Sequence, residues 1–171
     1  MLRKEGENSV RKLEEGGHEE SPVEKRGLQN SAKQIKSRKR VRDHGEVFTN
    51  PREVKAMCDL IPADVWDNID STFLEPACGN GNFLVEVMAR KYNRCKNACD
   101  GLRALRSLTA IDIMPDNVLE SRARLYKQFQ ERFPAAGYAI LLSAASILAQ
   151  NIICGDSLKI MKGWEEDEQI H

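Results

Sequence analysis

The chain has 171 residues, of which 30% are charged, and its 26 basic and 26 acidic residues cancel to a net charge of zero. Five cysteines with no signal-like apolar run at the N-terminus argue against a disulfide framework and predict a reducing, cytoplasmic setting. The most apolar stretch, Tyr138 to Ala149, is 12 residues, well short of the roughly 20 that a membrane-spanning helix needs, so no membrane partner is expected.

The zero net charge hides two unlike segments. Residues 1–42 hold 12 Lys and Arg against 7 Glu (12 − 7 = +5), whereas residues 43–171 hold 14 basic against 19 acidic (14 − 19 = −5). The first segment has almost no large apolar residues and predicts a disordered charged tail. The second, about 129 residues (171 − 42), is long enough for a modest core. Ser31 to Arg42 carries six basic residues and no acid, which suits either a solvated tail or a salt-sensitive contact to nucleic-acid phosphates.

Thr49 is a candidate N-cap for a helix over 51–61, with Val54, Met57, Cys58 and Ile61 at helical spacing. A strand follows near 72–75 and stops at Pro76. Gly79 and Gly81 then form a tight turn into a helix over 82–92, a geometry that needs positive φ and lets backbone approach a ligand. The polar stretch Lys91 to Arg106 lengthens the connection to a second strand near 108–113, which ends in Asp112. Pro115 opens a helix over 116–132, and Tyr138 to Ala149 reads as a buried helix. A third strand near 151–154 leads into Gly155-Asp156-Ser157. A carboxylate at the tip of a second strand is where Rossmann-like sheets bind ribose hydroxyls, and Asp112 holds that position with Ile113 beside it. Cys95 and Cys99 alone are a weak zinc signal.

The run Glu75-Pro76-Ala77-Cys78-Gly79-Asn80-Gly81-Asn82-Phe83-Leu84 lacks the third glycine of a dinucleotide fingerprint. It resembles instead the first motif of adenine-N6 DNA methyltransferases, the S-adenosylmethionine (SAM) enzymes of restriction-modification systems. The resemblance implies that Glu75, Pro76, Ala77, Cys78, Gly79, Gly81 and Phe83 surround the methionine end of SAM. It further implies that Asp112 binds the ribose, that Ile113 covers the adenine, and that Asp156 with Ser157 receives the adenine amine. His44 to Val54 resembles the family's N-terminal motif, which places Phe48 and Thr49 over the cofactor, although Asn50 is an extra residue between the usual Thr and Pro.

The implied fold is an α/β, Rossmann-like SAM-dependent methyltransferase sheet, incomplete because three strands stand where the family has seven. The edge beyond the third strand is expected to be unpaired. In the family the next motif is Asn/Asp-Pro-Pro-Tyr/Phe, which holds the target amine and stacks on the flipped base. No such tetrapeptide occurs here; the only Asn-Pro is Asn50-Pro51, followed by Arg52. The expectation is therefore a SAM-binding portion that reaches DNA through a complete enzyme and needs a second polypeptide for its catalytic half. A truncated, non-catalytic SAM-binding or partner protein, or a methyltransferase acting on RNA or protein, stays open.

Overall fold

Leu108, Ala110 and Ile111 lie almost fully buried on β2 (Leu108–Asp112), the middle strand of a parallel sheet in the computed structural model, which describes residues 34–168. β1 (Phe73–Glu75) and β3 (Ile152–Cys154) flank it in the order β1-β2-β3. The register pairs Glu75 with Ala110 and Asp112 with Cys154, so the strands end together at one edge. A near-continuous apolar run is what a parallel strand covered on both faces requires. The described fold is thus mixed α/β, and each strand is one residue shorter than expected.

The parallel pairing forces helical crossovers. α4 (Asn82–Tyr92) and α5 (Ala98–Arg106) connect β1 to β2, and α6 (Pro115–Arg132) and α7 (Tyr138–Asn151) connect β2 to β3. α2 (Pro51–Cys58) and α3 (Ala63–Asp67) precede the sheet, and α8 (Ser157–Glu168) follows it. One core joins them. Leu84 and Met88 of α4, Leu105 of α5 and Leu125 and Phe129 of α6 are all at or below 1% exposure and pack with Ile152. Burying each such side chain contributes about 1.5–3 kcal/mol.

α5 replaces the expected polar connection. Asn97 accepts from the Asp100 amide at 3.0 Å while the Asp100 carboxylate accepts from the Lys96 amide at 3.0 Å, a local exchange that caps the helix start. Gly101, Leu102, Ala104 and Leu105 form its buried face. Lys91, also assigned to that polar stretch, is completely buried. Its ammonium donates to Ser71 O at 2.6 Å and lies 4.9 Å from the centre of the Phe73 ring.

Three further expectations change. The helix after Phe48 is capped by Asn50, whose side chain accepts from the Arg52 amide at 2.9 Å, not by Thr49. The extra residue before Pro51 is thus the cap itself. The expected tail boundary at residue 42 falls inside α1 (Arg38–His44), and residues from Gln34 onward belong to the compact unit. Ion pairs made by Lys36 and Arg40 hold this segment down, and composition does not reveal them. The remainder of the predicted tail, residues 1–33, lies outside the described residues. Finally, β1 as well as β3 pairs only with β2 in the described sheet, so the free edges include β1, where Leu74 is 47% exposed.

Candidate functional site

The turn after β1 is built from two left-handed glycines, Gly79 at φ +53° and Gly81 at φ +85°. A β-carbon on Gly81 would lie 2.8 Å from Ser121 Oγ, so close packing of α6 also excludes a side chain there. A β-carbon on Gly79 would meet the Phe48 ring at 3.1 Å. The turn is clamped from several sides. Ser121 Oγ donates to Gly79 O at 3.0 Å, and Arg124 donates to Asn80 O at 2.6 Å and to Asn82 Oδ1 at 2.9 Å. Gly81 precedes α4 and no side chain caps that helix start, so its first amide groups are left to another acceptor.

Asp112, at the end of β2, is 9% exposed and ties the turn to the sheet. Its Oδ2 accepts from the Gly79 amide at 2.8 Å. Its Oδ1 accepts from the Met114 amide at 2.8 Å and from Asn117 Nδ2 at 3.2 Å. Two carboxylate oxygens offer about four lone-pair sites, so roughly one is left for a ligand. Asp156 is likewise partly engaged: its Oδ1 accepts from the Leu158 amide at 3.1 Å at the start of α8, and Lys159 Nζ lies 3.9 Å from its Oδ2. The Gly155 amide donates to Asp112 O at 3.0 Å and joins the two acidic strand ends.

A cavity of about 340 Å³ opens over these strand ends. Phe48, Pro76, Ala77, Gly79, Asp112 and Ile113 line it, as do Asp156 and Ser157. A smaller adjoining cavity of about 170 Å³ is lined by Thr49, Glu75, Cys78 and Phe83 together with Phe48 and Gly79. The residues expected at the site are thus divided between two cavities that share the glycine turn. Gly81 lines neither, because it faces Ser121. Burial, followed by the Asp112 charge, pushes the Cys78 thiol up to about 12, which keeps it protonated and unreactive.

The larger cavity also takes in His44, Glu46, Met114 and Leu158, which sequence reasoning had not assigned to it. Glu46 is the most informative of them. Its Oε2 accepts from Arg40 Nε at 2.8 Å and from Asn117 Nδ2 at 3.1 Å, while its Oε1 is buried with no donor. The same Asn117 amide reaches Asp112, so Glu46 and the strand-end acid share one partner. Glu46 lies inside the motif that named Phe48 and Thr49, but a glutamate in a polar run carries no signal of burial.

Above this network, Lys36 Nζ is 3.0 Å from Asp116 and 2.7 Å from Glu120, and Arg40 is 2.6 Å from Asp116. Hydrogen bonds from Arg40 and then Lys36 hold the Asp116 carboxyl well below the usual carboxylate range. For Lys36, burial lowers the pKa, but hydrogen bonds to Glu120 and Asp116 outweigh it and the net shift is upward.

All five cysteines carry free thiols. Among the described residues no helix is long and apolar enough to cross a membrane, and no group of three metal-ligating side chains is present. Comparison of the chain with protein-family models, with curated proteins and with solved structures finds no match.

Proposed function

We propose that this chain is the SAM-binding portion of a site-specific DNA adenine-N6 methyltransferase of the restriction-modification kind, with its sheet forming part of a Rossmann-like domain. The observation that carries the reading is one cavity lined jointly by Asp112, the last residue of β2, and by Gly79 and Asp156, in the turns that follow the neighbouring parallel strands β1 and β3. Ligands of open α/β sheets bind at that edge. The volume also falls in the roughly 300–1,000 Å³ range of small-molecule sites.

The uncapped start of α4 suits the cofactor's carboxylate. Ile113, 53% exposed and lining the cavity, offers an apolar face for the adenine. Asp112 retains limited capacity for a ribose hydroxyl, and Asp156 Oδ2 is the acceptor for the adenine amine. SAM when bound supplies the methyl group; the chain's own residues bind and orient it.

Calorimetric titration with S-adenosylhomocysteine tests this. Asp112→Ala is expected to lose about ten- to hundredfold in affinity. Because Asp112 also holds the turn, Ile113→Lys is the cleaner companion: its side chain is exposed, so a fall in affinity without a fall in stability reports the adenine face. Identical binding by wild type, Asp112→Ala, Gly81→Val and Ile113→Lys would exclude the assignment.

A further inference from the structure

Residues 44–48 line one side of the larger cavity, and charge rather than apolar burial holds the segment 34–48 to which they belong. α1 buries no residue, and among residues 34–48 Phe48 is the buried apolar side chain. The segment is closed on itself by the Phe48 amide donating to Gln34 O at 2.8 Å. Its attachments to α6 are ion pairs and hydrogen bonds. Lys36 reaches Asp116, Glu120 and Asn117 Oδ1, and its ammonium is 5.7 Å from the centre of the Phe48 ring. Arg40 bridges Asp116 at 2.6 Å and Glu46 at 2.5 Å. Among the described basic residues of the run, Lys36 and Arg40 reach acids beyond the segment, whereas Arg38, Lys39 and Arg42 are exposed.

We propose that residues 34–48 are a strap at the cavity, latched by Lys36 and Arg40 as positioning residues, and that parting their ion pairs with Asp116 and Glu120 opens the path by which a ligand enters and leaves. Partly exposed ion pairs are individually weak, so this opening is reached without unfolding the core. Asn117 links strap to site by donating to Glu46 at 3.1 Å and to Asp112 at 3.2 Å.

Residue-resolved amide exchange on the full chain tests the latch. In Asp116→Asn and in Lys36→Gln, the Phe48 amide is expected to exchange faster by up to about fivefold, the upper bound for one lost exposed ion pair. The β2 amides and a Lys127→Gln control should match wild type. Unchanged Phe48 exchange in both variants, or acceleration shared equally by β2, overturns the proposal. A second arm rests on the SAM reading: S-adenosylhomocysteine should dissociate faster from Asp116→Asn by a similar factor. Equal dissociation rates would overturn control of ligand release by the latch. A wild-type chain that does not bind S-adenosylhomocysteine would remove the SAM reading instead, and the exchange result would then decide the strap.

Discussion

The Gly79 amide donates to Asp112 Oδ2 at 2.8 Å across 33 residues of sequence, which makes the strand-end acid a structural tie as well as a site residue. A buried carboxylate that accepts from Gly79, Met114 and Asn117 positions the turn before any ligand arrives. The turn is therefore preformed, and under the proposed function the acid that meets the ligand is also the one that holds backbone.

Asp112→Ala should consequently lower stability as well as ligand affinity. Removing it takes the side-chain acceptor from the Gly79 and Met114 amides and leaves Asn117 with Glu46 alone, at a cost of about 1.5–3 kcal/mol for a charged hydrogen-bond partner. Urea denaturation of the ligand-free chain checks this. A midpoint equal to wild type would mean that the acid does not hold the turn.

Gly81→Ala is expected to be more damaging than Gly45→Ala, although both glycines have positive φ. The left-handed conformation alone costs a non-glycine residue about 1–2 kcal/mol, and both variants bear that. Only at Gly81 does the new β-carbon also meet Ser121 Oγ, at 2.8 Å; at Gly45 nothing lies within 4 Å. Ser121→Gly should recover part of the Gly81→Ala loss and none of the Gly45→Ala loss. Equal thermal shifts for the two single variants would count against the packing argument.

Lys91 gives a pH signature with a definite sign. Burial lowers its pKa to about 8 from an ordinary 10.5, so between those values the unfolded chain binds more protons than the folded one. Stability from this residue therefore rises as pH climbs from about 8 to 10.5. The buried thiols act oppositely. Burial raises Cys58, Cys78 and Cys95 above their ordinary 9.0, so their contribution falls as pH rises past that value. The difference between wild type and Lys91→Met isolates the lysine: the wild type should gain on the variant through that window. A flat difference curve from urea midpoints would contradict a buried ammonium at this site.

Much of the scaffold was legible in the sequence, and the reasons it was legible are local. The strands near Leu74, Ile111 and Ile153 stood out because each apolar run ends at a turn signal, and α6 because Pro115 opens it. α5 was not, since its cap at Asn97 and its Gly101 face read as polar linker until Phe129 and Phe133 are seen packed on it. The strap was misread for the reverse reason. Lys36 and Arg40 look solvated in composition, and their partners Asp116 and Glu120 lie about 80 residues away, a distance no local pattern spans. Of the eight expected site residues that line the larger cavity, all but Phe48 lie at a strand end or just after it, stretches that travel together in sequence. Gly81 was named for a ligand, yet its packing against Ser121 is a tertiary fact.

The isolated chain is expected not to methylate DNA. Transfer to an exocyclic amine needs an acceptor that turns the amine lone pair towards the donor, and a stacked pocket for the extruded base. In the enzymes it resembles, Asn/Asp-Pro-Pro-Tyr/Phe supplies both, and that tetrapeptide is missing from the sequence. Trp164 on α8 is 38% exposed and offers a ring, but no Asn-Pro precedes it to hold the amine. Incorporation of labelled methyl groups into adenine-containing DNA checks this, with and without a second polypeptide carrying an Asn-Pro-Pro-Tyr segment. Turnover by the chain alone would contradict the assignment of the catalytic step to the missing motif. Activity only on mixing, lost in Asp112→Ala and Ile113→Lys, would tie the step to the cavity over the strand ends.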